Sequence, residues 1–385
     1  MDGNGIKYDI TSDQMDQFND TGPVFVTFGE TLIRDTPADS QRLERTGIVN
    51  ISLAGSELTL AMTLARFGVP SAYVTRLPDN PYGWLVRDTA RSQGIDTDYI
   101  VWANKAEPIG RFLYELGRTP RKSVGWYQRM YSAASKMGRG MVDWETALAD
   151  CKLFHTSGIT FGLANHSQYP HNYLLEAFEE AIEQKPDDCM VGLDYNYRAT
   201  LWSPEQCKAI MTPLVTNHIN VLITTIEDMA ALYGFGCGKY SAEEIDKGDI
   251  HDLSDEDIQS FASQVGEFFK ARIVAITIRY PDTFEEHRWE TAAMDERGNF
   301  FRSPAVKPIV LLDRLGGGDT WNGGFYYGLL TAGFEREGIE KGILVGDAAT
   351  RIKQTLMFDL PIVTKAEVQD LIKADAVGGG KRVSR

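Results

Sequence analysis

The chain contains little cysteine, no long apolar run and no excess of basic residues. Its four cysteines, Cys151, Cys189, Cys207 and Cys237, are far apart and form no CxxC pair, which is typical of reduced thiols rather than of a disulfide framework or a zinc site. No apolar run reaches the roughly 18 to 20 residues that span a bilayer. The 39 basic residues are outnumbered by 54 acidic ones, giving a net charge of −15. We therefore expect a cytoplasmic protein with neither a nucleic-acid nor a membrane partner.

Several familiar motifs are also missing. The six histidines, which include His166 and His171, show neither HExxH nor another metal-ligand spacing, so surface or core positions are expected for them. Residues 1–21 are polar and acidic and lack the apolar core of a signal peptide. With 43% hydrophobic and 24% charged residues, the chain has a globular composition. We expect an N-terminal extension over residues 1–22, one folded domain over 23–376 and a flexible tail over 377–385.

Short apolar segments alternate with helical patterns along the chain. Strands are predicted at residues 24–28, 72–75, 153–157, 190–194, 220–224 and 273–277, and helices at 54–67, 173–184, 204–215, 228–233 and 257–271. This alternation predicts right-handed βαβ units in an α/β fold with a mostly parallel sheet. Ligands of such a sheet bind beyond the carboxyl ends of its strands.

Residues 99–131 show a different pattern. The segments 99–102, 110–116 and 124–131 alternate large apolar with polar residues, which predicts half-exposed antiparallel strands in a small separate sheet. Residues 234–254, rich in glycine and acids, are predicted to be an inserted loop.

The segment Gly316-Gly-Gly-Asp319 precedes a helix-like run and is the most informative part of the sequence. Glycines at a helix N-terminus expose backbone amides that attract phosphate. A carboxylate beside such a site fits a base that takes a proton from a hydroxyl attacking the phosphate. The alternative is an ordinary loop with a capping aspartate. A Walker A loop is excluded, because no Gly-Lys-Ser/Thr follows.

Three segments resemble motifs of the ribokinase-like (PfkB) sugar kinases. Gly316-Gly-Gly-Asp319 is similar to their Gly-Ala-Gly-Asp signature, and Ala54-Gly-Ser-Glu57 is similar to their N-terminal glycine motif. Residues 193–204 resemble the Asp-x-Asn-x-Arg…Leu-Trp segment of the 2-keto-3-deoxygluconate kinase branch. The resemblance, from about residue 24 to 372, implies a ribokinase-like doubly wound, mostly parallel sheet flanked by helices. It also implies a small β-sheet lid, with strands mainly within residues 30–53 and 99–131, that closes over the sugar.

The resemblance also implies roles for individual residues. The family transfers the γ-phosphoryl group of ATP to a sugar hydroxyl, with Asp319 as base and the amides of Gly316, Gly317 and Gly318 as anion hole. ATP contacts are implied for Asn196, Thr225, Thr277, Arg279 and Gly318. Asp228 is implied to contact Mg²⁺ through water, and a requirement for K⁺ is left open.

Two arginines indicate the class of sugar that the protein binds. Arg129 and Arg198 fall where the branch places cations, and the arginine fork suits a carboxylate, so a ketodeoxy sugar acid is predicted. The alternative is that both are solvated or paired with neighbouring acids. The other implied sugar contacts are Gly55, Thr59, Phe112, Tyr127 and Asp359, with a surface cap as the alternative for Asp359. The chain departs from the family at several positions. Ala54 replaces Gly, Thr59 replaces Asn, Phe112 replaces Tyr and Gly317 replaces Ala. Residues 225–228 stand where the family has Asn-x-x-Glu, and Arg279 stands near a usual Gly.

Two other functions stay open at this stage. One is a kinase of the same fold that acts on a neutral sugar such as fructose or ribose. The other is a non-catalytic regulatory protein that binds sugar or nucleotide. Half-exposed aromatic strands predict a homo-oligomer, either a dimer through the lid or a larger assembly.

Overall fold

The computed structural model of the chain describes residues 7–13, 15–18, 21–164, 172–248, 250–281, 286–304 and 309–377. His166, His171 and residues 378–385 lie outside these ranges, so the predictions made for them stay predictions. Of the described N-terminal residues, Ile10 donates its amide proton to Gln369 Oε1 at 2.8 Å, and Lys341 Nζ lies 2.8 Å from Asp13 Oδ2. This segment is therefore held against the C-terminal helices.

Strands and helices alternate through the chain. The strands are β1 (Phe25–Phe28), β2 (Leu32–Pro37), β3 (Val49–Ala54), β4 (Ser71–Pro78), β5 (Ile95–Asp96), β6 (Ile100–Ala103), β7 (Gly110–Glu115), β8 (Val124–Gln128), β9 (Leu153–Ser157), β10 (Met190–Asp194), β11 (Val221–Thr225), β12 (Ile273–Pro281), β13 (Glu286–Asp295), β14 (Phe300–Arg302) and β15 (Ile309–Val310). The helices are α1 (Ser56–Arg66), α2 (Pro81–Ser92), α3 (Trp144–Ala147), α4 (Gly158–Ala164), α5 (Tyr173–Gln184), α6 (Pro204–His218), α7 (Ile226–Tyr233), α8 (Ala242–Asp246), α9 (Asp255–Phe269), α10 (Gly317–Ala332), α11 (Arg336–Lys353) and α12 (Lys365–Val377).

A large sheet forms the centre of the molecule, with the strand order β14-β13-β12-β11-β10-β9-β1-β4-β5. Its pairs from β12 through β4 are parallel, whereas β13 and β14 are antiparallel. Successive side chains of β1 enter two different hydrophobic clusters, since Phe25 packs in one and Val26 in the other. Both faces of the sheet are therefore buried, as parallel strands require. The predicted doubly wound, mostly parallel sheet is confirmed.

Where periodicity was clear, the predicted elements are accurate. Strands β9 and β10 and helix α5 have the predicted bounds, and α1 ends before Gly68, which has the left-handed φ of 88°. The prediction for residues 99–102 was wrong, because β6 pairs in parallel with β4 in the large sheet. Alternating burial indicates a half-exposed strand but does not identify its partner. The predicted loop 234–254 contains the short helix α8, and β13 to β15 were not predicted.

A second, four-stranded sheet has the order β3-β2-β7-β8. Strand β2 is antiparallel to β3 and parallel to β7, and β7 is antiparallel to β8, so the sheet is mixed rather than purely antiparallel. The register places Arg34 opposite Phe112, and Phe112 opposite Tyr127, on one face. Asp35, Leu113 and Trp126 follow one another across the other face. The small separate sheet of the prediction is thus confirmed.

In the part of the chain that the structure describes, no helix is both long and apolar enough to cross a membrane.

Candidate active site

The site forms where two helices begin close together. Gly55, the N-cap of helix α1, directly follows β3, and an added Cβ there would lie 2.7 Å from the carbonyl oxygen of Glu30. This close approach of backbone to backbone requires glycine. Gly316, the N-cap of helix α10, has a φ of 75°, and a Cβ there would lie 2.2 Å from the carbonyl oxygen of Asp359. Any other residue would be strained and would clash at this turn.

The three glycines of the α10 turn are not equivalent. An added Cβ on Gly318 would meet no atom within 4 Å, so this residue borders open space. Gly317 is buried, and its amide donates to the carbonyl oxygen of Arg314 at 3.3 Å. The prediction that the Gly317 amide is bare is therefore corrected, because the turn itself uses this donor.

Two cavities adjoin at the start of α10. The strand-end cavity lies at the carboxyl ends of β10, β11 and β12 and is lined by Asp194, Asn196, Arg198, Ile223, Thr225, Glu227, Asp228, Thr277, Arg279, Trp289, Arg314, Leu315, Gly316, Gly318, Asp319, Asn322 and Gln354. The lid cavity lies under the small sheet and is lined by Glu30, Leu32, Ala54, Gly55, Ser56, Glu57, Phe112, Tyr127, Arg129, Ile159, Asn196, Arg198, Thr200, Leu315, Gly316, Asp319 and Asp359. Asn196, Arg198, Leu315, Gly316 and Asp319 line both cavities. The Asp319 carboxyl thus lies at their junction.

The Asp319 side chain is fixed by a hydrogen bond across the two helix starts. Ser56 Oγ donates to Asp319 Oδ1 at 2.6 Å. Burial raises the pKa of Asp319, while the Ser56 hydrogen bond and the charge of Arg198 act in the opposite direction. A carboxyl with a raised pKa is a better proton acceptor than an ordinary aspartate.

Other buried carboxyls surround Asp319. Burial raises the pKa of Glu57 to about 7, although Ser157 and Thr160 donate hydrogen bonds to it at 2.6 and 3.1 Å. Burial, together with the nearby Asp319 charge, raises the pKa of Asp194 to about 7. A concentration of carboxyls whose pKa values are shifted is typical of a functional site.

The residues implied for nucleotide and metal lie together in the strand-end cavity. Asn196, Thr225, Thr277, Arg279 and Asp228 all line it. Thr225 caps α7 by accepting from the Asp228 amide at 3.0 Å, and Asp228 Oδ2 accepts from the Tyr197 amide at 3.1 Å. Burial raises the pKa of Asp228 to about 6.

The two arginines predicted to bind a carboxylate both line the lid cavity, but their surroundings differ. Arg129 Nε and Nη2 lie 2.8 and 2.6 Å from Glu30 Oε2. The alternative of pairing with a neighbouring acid therefore holds for Arg129. Arg198 is exposed and donates to the carbonyl oxygen of Tyr197 at 2.9 Å. Its charge acts on the carboxyls of Asp194, Asp228 and Asp319, but within the described ranges it forms no ion pair like that of Arg129 with Glu30.

The remaining predicted sugar contacts divide into two groups. Phe112 and Tyr127 line the lid cavity and stack with ring centroids 5.0 Å apart. Asp359 also lines it, is buried and pairs with Arg34 at 2.7 Å, so the alternative of a surface cap was wrong. Thr59 is the exception, because it is fully buried within α1 and lines neither cavity. The predicted sugar contact of Thr59 is corrected accordingly.

Sequence reasoning missed four polar residues of the site, Glu30, Ser56, Glu57 and Asp194. Ser56 and Glu57 belong to the recognised motif 54–57, so that motif could have pointed to them. Glu30 follows Gly29 directly after β1, and Asp194 ends β10. A position at the carboxyl end of a parallel strand was the available signal for both.

The fold and the site together define a ribokinase-like α/β protein with a small accessory sheet beside its active cleft. Residues 25–247 match the family model for pfkB family carbohydrate kinases. The chain therefore belongs to the pfkB family of carbohydrate kinases. It is 27% identical over 353 residues to a 2-dehydro-3-deoxygalactonokinase of Haloferax volcanii, covering 92% of this chain and 98% of that one. It is 23% identical over 370 residues to a 5-dehydro-2-deoxygluconokinase of Clostridium botulinum, covering 94% and 96%.

The comparison with solved structures agrees with this assignment. The crystal structure of 2-dehydro-3-deoxygluconokinase from Thermotoga maritima superposes with a TM-score of 0.80 at 29% identity. The match covers 91% of this chain and 98% of that one. The prediction of a PfkB carbohydrate kinase similar to 2-keto-3-deoxygluconate kinase is confirmed.

Proposed function

We propose that this carbohydrate kinase transfers the γ-phosphoryl group of ATP to a hydroxyl of a 2-keto-3-deoxy sugar acid. The activity is assigned to one domain of residues 23–376, with ATP in the strand-end cavity and the sugar acid in the lid cavity. The observation that carries the proposal is the position of Asp319, whose carboxyl lines both cavities. A base at this junction reaches an acceptor hydroxyl on one side and a phosphoryl group on the other.

The transfer follows from this arrangement. Asp319 accepts the proton of the sugar hydroxyl while that oxygen attacks the γ-phosphorus and the bond to the β-phosphate oxygen breaks. The amides of Gly316 and Gly318, at the N-terminus of α10, stabilise negative charge on the phosphoryl group. Asn196, Thr225, Thr277 and Arg279 bind the nucleotide along the strand ends.

The acidic strand-end cavity also fits Mg²⁺ bound to phosphate. Asp194 and Asp228 line it, and each has a raised pKa because burial disfavours its charge. Within the described ranges, no three His, Cys, Asp or Glu side chains are grouped closely enough to form a metal site by themselves. An ion bound mostly to water and phosphate, with Asp228 beyond its water, fits this geometry. When bound, Mg²⁺ neutralises phosphate charge.

The two arginines of the lid cavity support an acidic sugar. Glu30 neutralises Arg129, so Arg198 has the charge available for a substrate carboxylate. The ion pair with Glu30 fixes the orientation of the Arg129 guanidinium. Phe112 and Tyr127 pack against the carbon face of the sugar. Under this proposal Asp359 shapes the floor of the cavity through its pairing with Arg34. The names of the Haloferax and Thermotoga relatives support the same substrate class.

A substrate panel with ATP and Mg²⁺ tests the proposal. We expect phosphorylation of 2-keto-3-deoxygluconate or 2-keto-3-deoxygalactonate, and little of fructose or ribose. In Arg198→Gln, kcat/KM for the acid should fall by roughly 10- to 100-fold, because a hydrogen bond to a charged group is worth about 1.5–3 kcal/mol. The exposed Arg139, replaced in the same way, is the matched control. Turnover of a neutral sugar alone would favour the alternative kinase, and absence of all turnover would favour a binding protein.

We also propose that the small sheet is a lid whose outer face joins a second copy of the chain. Val49, Ile51, Val124 and Trp126 alternate onto this face, and Ile51 and Trp126 are 51% and 46% exposed. Exposed apolar side chains on one sheet face are typical of an association surface.

The four cysteines are free and buried, which supports a reduced, cytoplasmic setting.

A further inference from the structure

Lys353, the last residue of α11, has a buried ammonium group that the proposed transfer does not use. The residue is 0% exposed. Its Nζ donates to the carbonyl oxygen of Asp313 at 3.2 Å and also to the carbonyl oxygen of Leu315. Both carbonyls belong to the loop that leads directly into Gly316. The ammonium therefore binds the backbone immediately before the proposed anion hole.

This loop depends on side chains and on the end of α11 for its conformation. The amides of Leu312 and Asp313 donate to the carbonyl oxygen of Gln354 at 2.9 and 3.3 Å. Asp313 Oδ1 accepts from the Leu315 amide at 3.1 Å, and its Oδ2 lies 2.6 Å from Arg34 Nη2. The Lys353 ammonium donates hydrogen bonds to the carbonyl oxygens of the same turn.

Charge balance gives the ammonium a second function. Arg34 pairs with both Asp313 and Asp359, so these three side chains alone carry a net negative charge. Lys353 brings this buried cluster to neutrality. Burial lowers the pKa of Lys353, and the charges of Asp313 and Asp359 oppose that shift. The Lys353 charge also acts on Asp319, whose pKa it lowers against the effect of burial.

We infer that Lys353 is a positioning residue whose ammonium acts as a resident monovalent cation for the anion-hole loop, so that turnover requires no K⁺. Converging backbone carbonyls are the ligands that K⁺ itself prefers. An ammonium tethered at these carbonyls supplies the same charge at the same oxygens. The inference depends on the proposed phosphoryl transfer for its kinetic test, but the cation preference of the loop has a separate test.

The kinetic test compares wild type with Lys353→Met in choline chloride, KCl, NH₄Cl and NaCl at equal ionic strength, using Tris-ATP and MgCl₂. Wild-type kcat should be the same in choline and K⁺. Lys353→Met should lose at least about tenfold in kcat in choline, because misplaced anion-hole amides stabilise the transferring phosphoryl group less well. K⁺ and NH₄⁺ should restore its activity with a saturable dependence, and Na⁺ much less. Lys208→Met, at a half-buried position on α6, is the control.

Three results would overturn the inference: activation of the wild type by K⁺, full kcat of Lys353→Met in choline, or a defect that neither K⁺ nor NH₄⁺ relieves. Thermal unfolding provides the second measurement, in which K⁺ should stabilise Lys353→Met relative to choline and leave the wild type unchanged. This measurement decides the question even if no sugar acid is phosphorylated, in which case the proposed function fails on its own. If the variant does not fold, the response of the wild type to K⁺ decides.

Discussion

Replacing Asp319 by Asn separates the proposed base from its structural surroundings. In the wild type, Ser56 Oγ donates to Asp319 Oδ1 at 2.6 Å, and an asparagine can accept the same hydrogen bond through its remaining oxygen. The other carboxylate oxygen becomes an NH₂ group, which cannot accept a proton. The substitution thus conserves volume and one hydrogen bond and removes only the basic function.

The expected size of the effect follows from general-base catalysis. A positioned base contributes about 10²- to 10⁴-fold, so kcat should fall by that factor, or about 2.7–5.5 kcal/mol in the barrier. Stability should not fall, because the amide replaces a carboxyl whose pKa is raised by burial. The wild-type pH profile should also rise with pH through the raised pKa of Asp319, since only the carboxylate accepts a proton.

The assay measures sugar-dependent ADP release, with ATP affinity followed by calorimetry and folding by thermal unfolding. We expect ATP affinity close to wild type and an unfolding temperature equal or higher. Asp370→Asn, at an exposed position on α12, controls for loss of a carboxylate elsewhere. Turnover within a few-fold of wild type would refute the assignment of Asp319 as base.

Two further expectations concern the lid and the buried acids. Trp126→Glu should convert the assembly to monomers in light scattering, whereas Trp84→Glu, an exposed tryptophan of α2, should not; a monomeric wild type would refute the lid interface. The pKa of Glu57 is raised from its ordinary 4.5 to about 7. The folded state therefore binds this proton more tightly than the unfolded state. The free energy of unfolding should fall as pH rises from about 4.5 to about 7. Glu57→Gln should remove up to about 3 kcal/mol of that fall in urea titrations, an upper limit from the shift. Glu267→Gln, at an exposed position, should leave the pH dependence of the free energy of unfolding unchanged. A fall with pH in Glu57→Gln as steep as in the wild type would contradict this reasoning.

The parallel core and the glycine turn could be predicted from the amino-acid sequence. Local patterns were sufficient there, because β9 and β10 are short apolar runs buried on both faces and α5 has a clear helical period. The turn at Gly316 was equally local, since its left-handed φ of 75° favours glycine. The resemblance to the family implied ATP contacts for Asn196 and Thr225, and both line the strand-end cavity, as expected for residues at the common edge of parallel strands.

Contacts between groups that are distant in the sequence could be seen only in the folded chain. Periodicity describes the burial of a segment but not its partner, so β6 was assigned to the small sheet although it pairs with β4. Thr59 was placed at the sugar by motif position, yet the turn of α1 directs it into the core. The pairing of Arg129 with Glu30 and the contact of Lys353 with the Asp313 carbonyl join residues 99 and 40 positions apart. Such contacts depend on the packing of whole elements, and charge neutralisation at the site follows from that packing rather than from any local pattern.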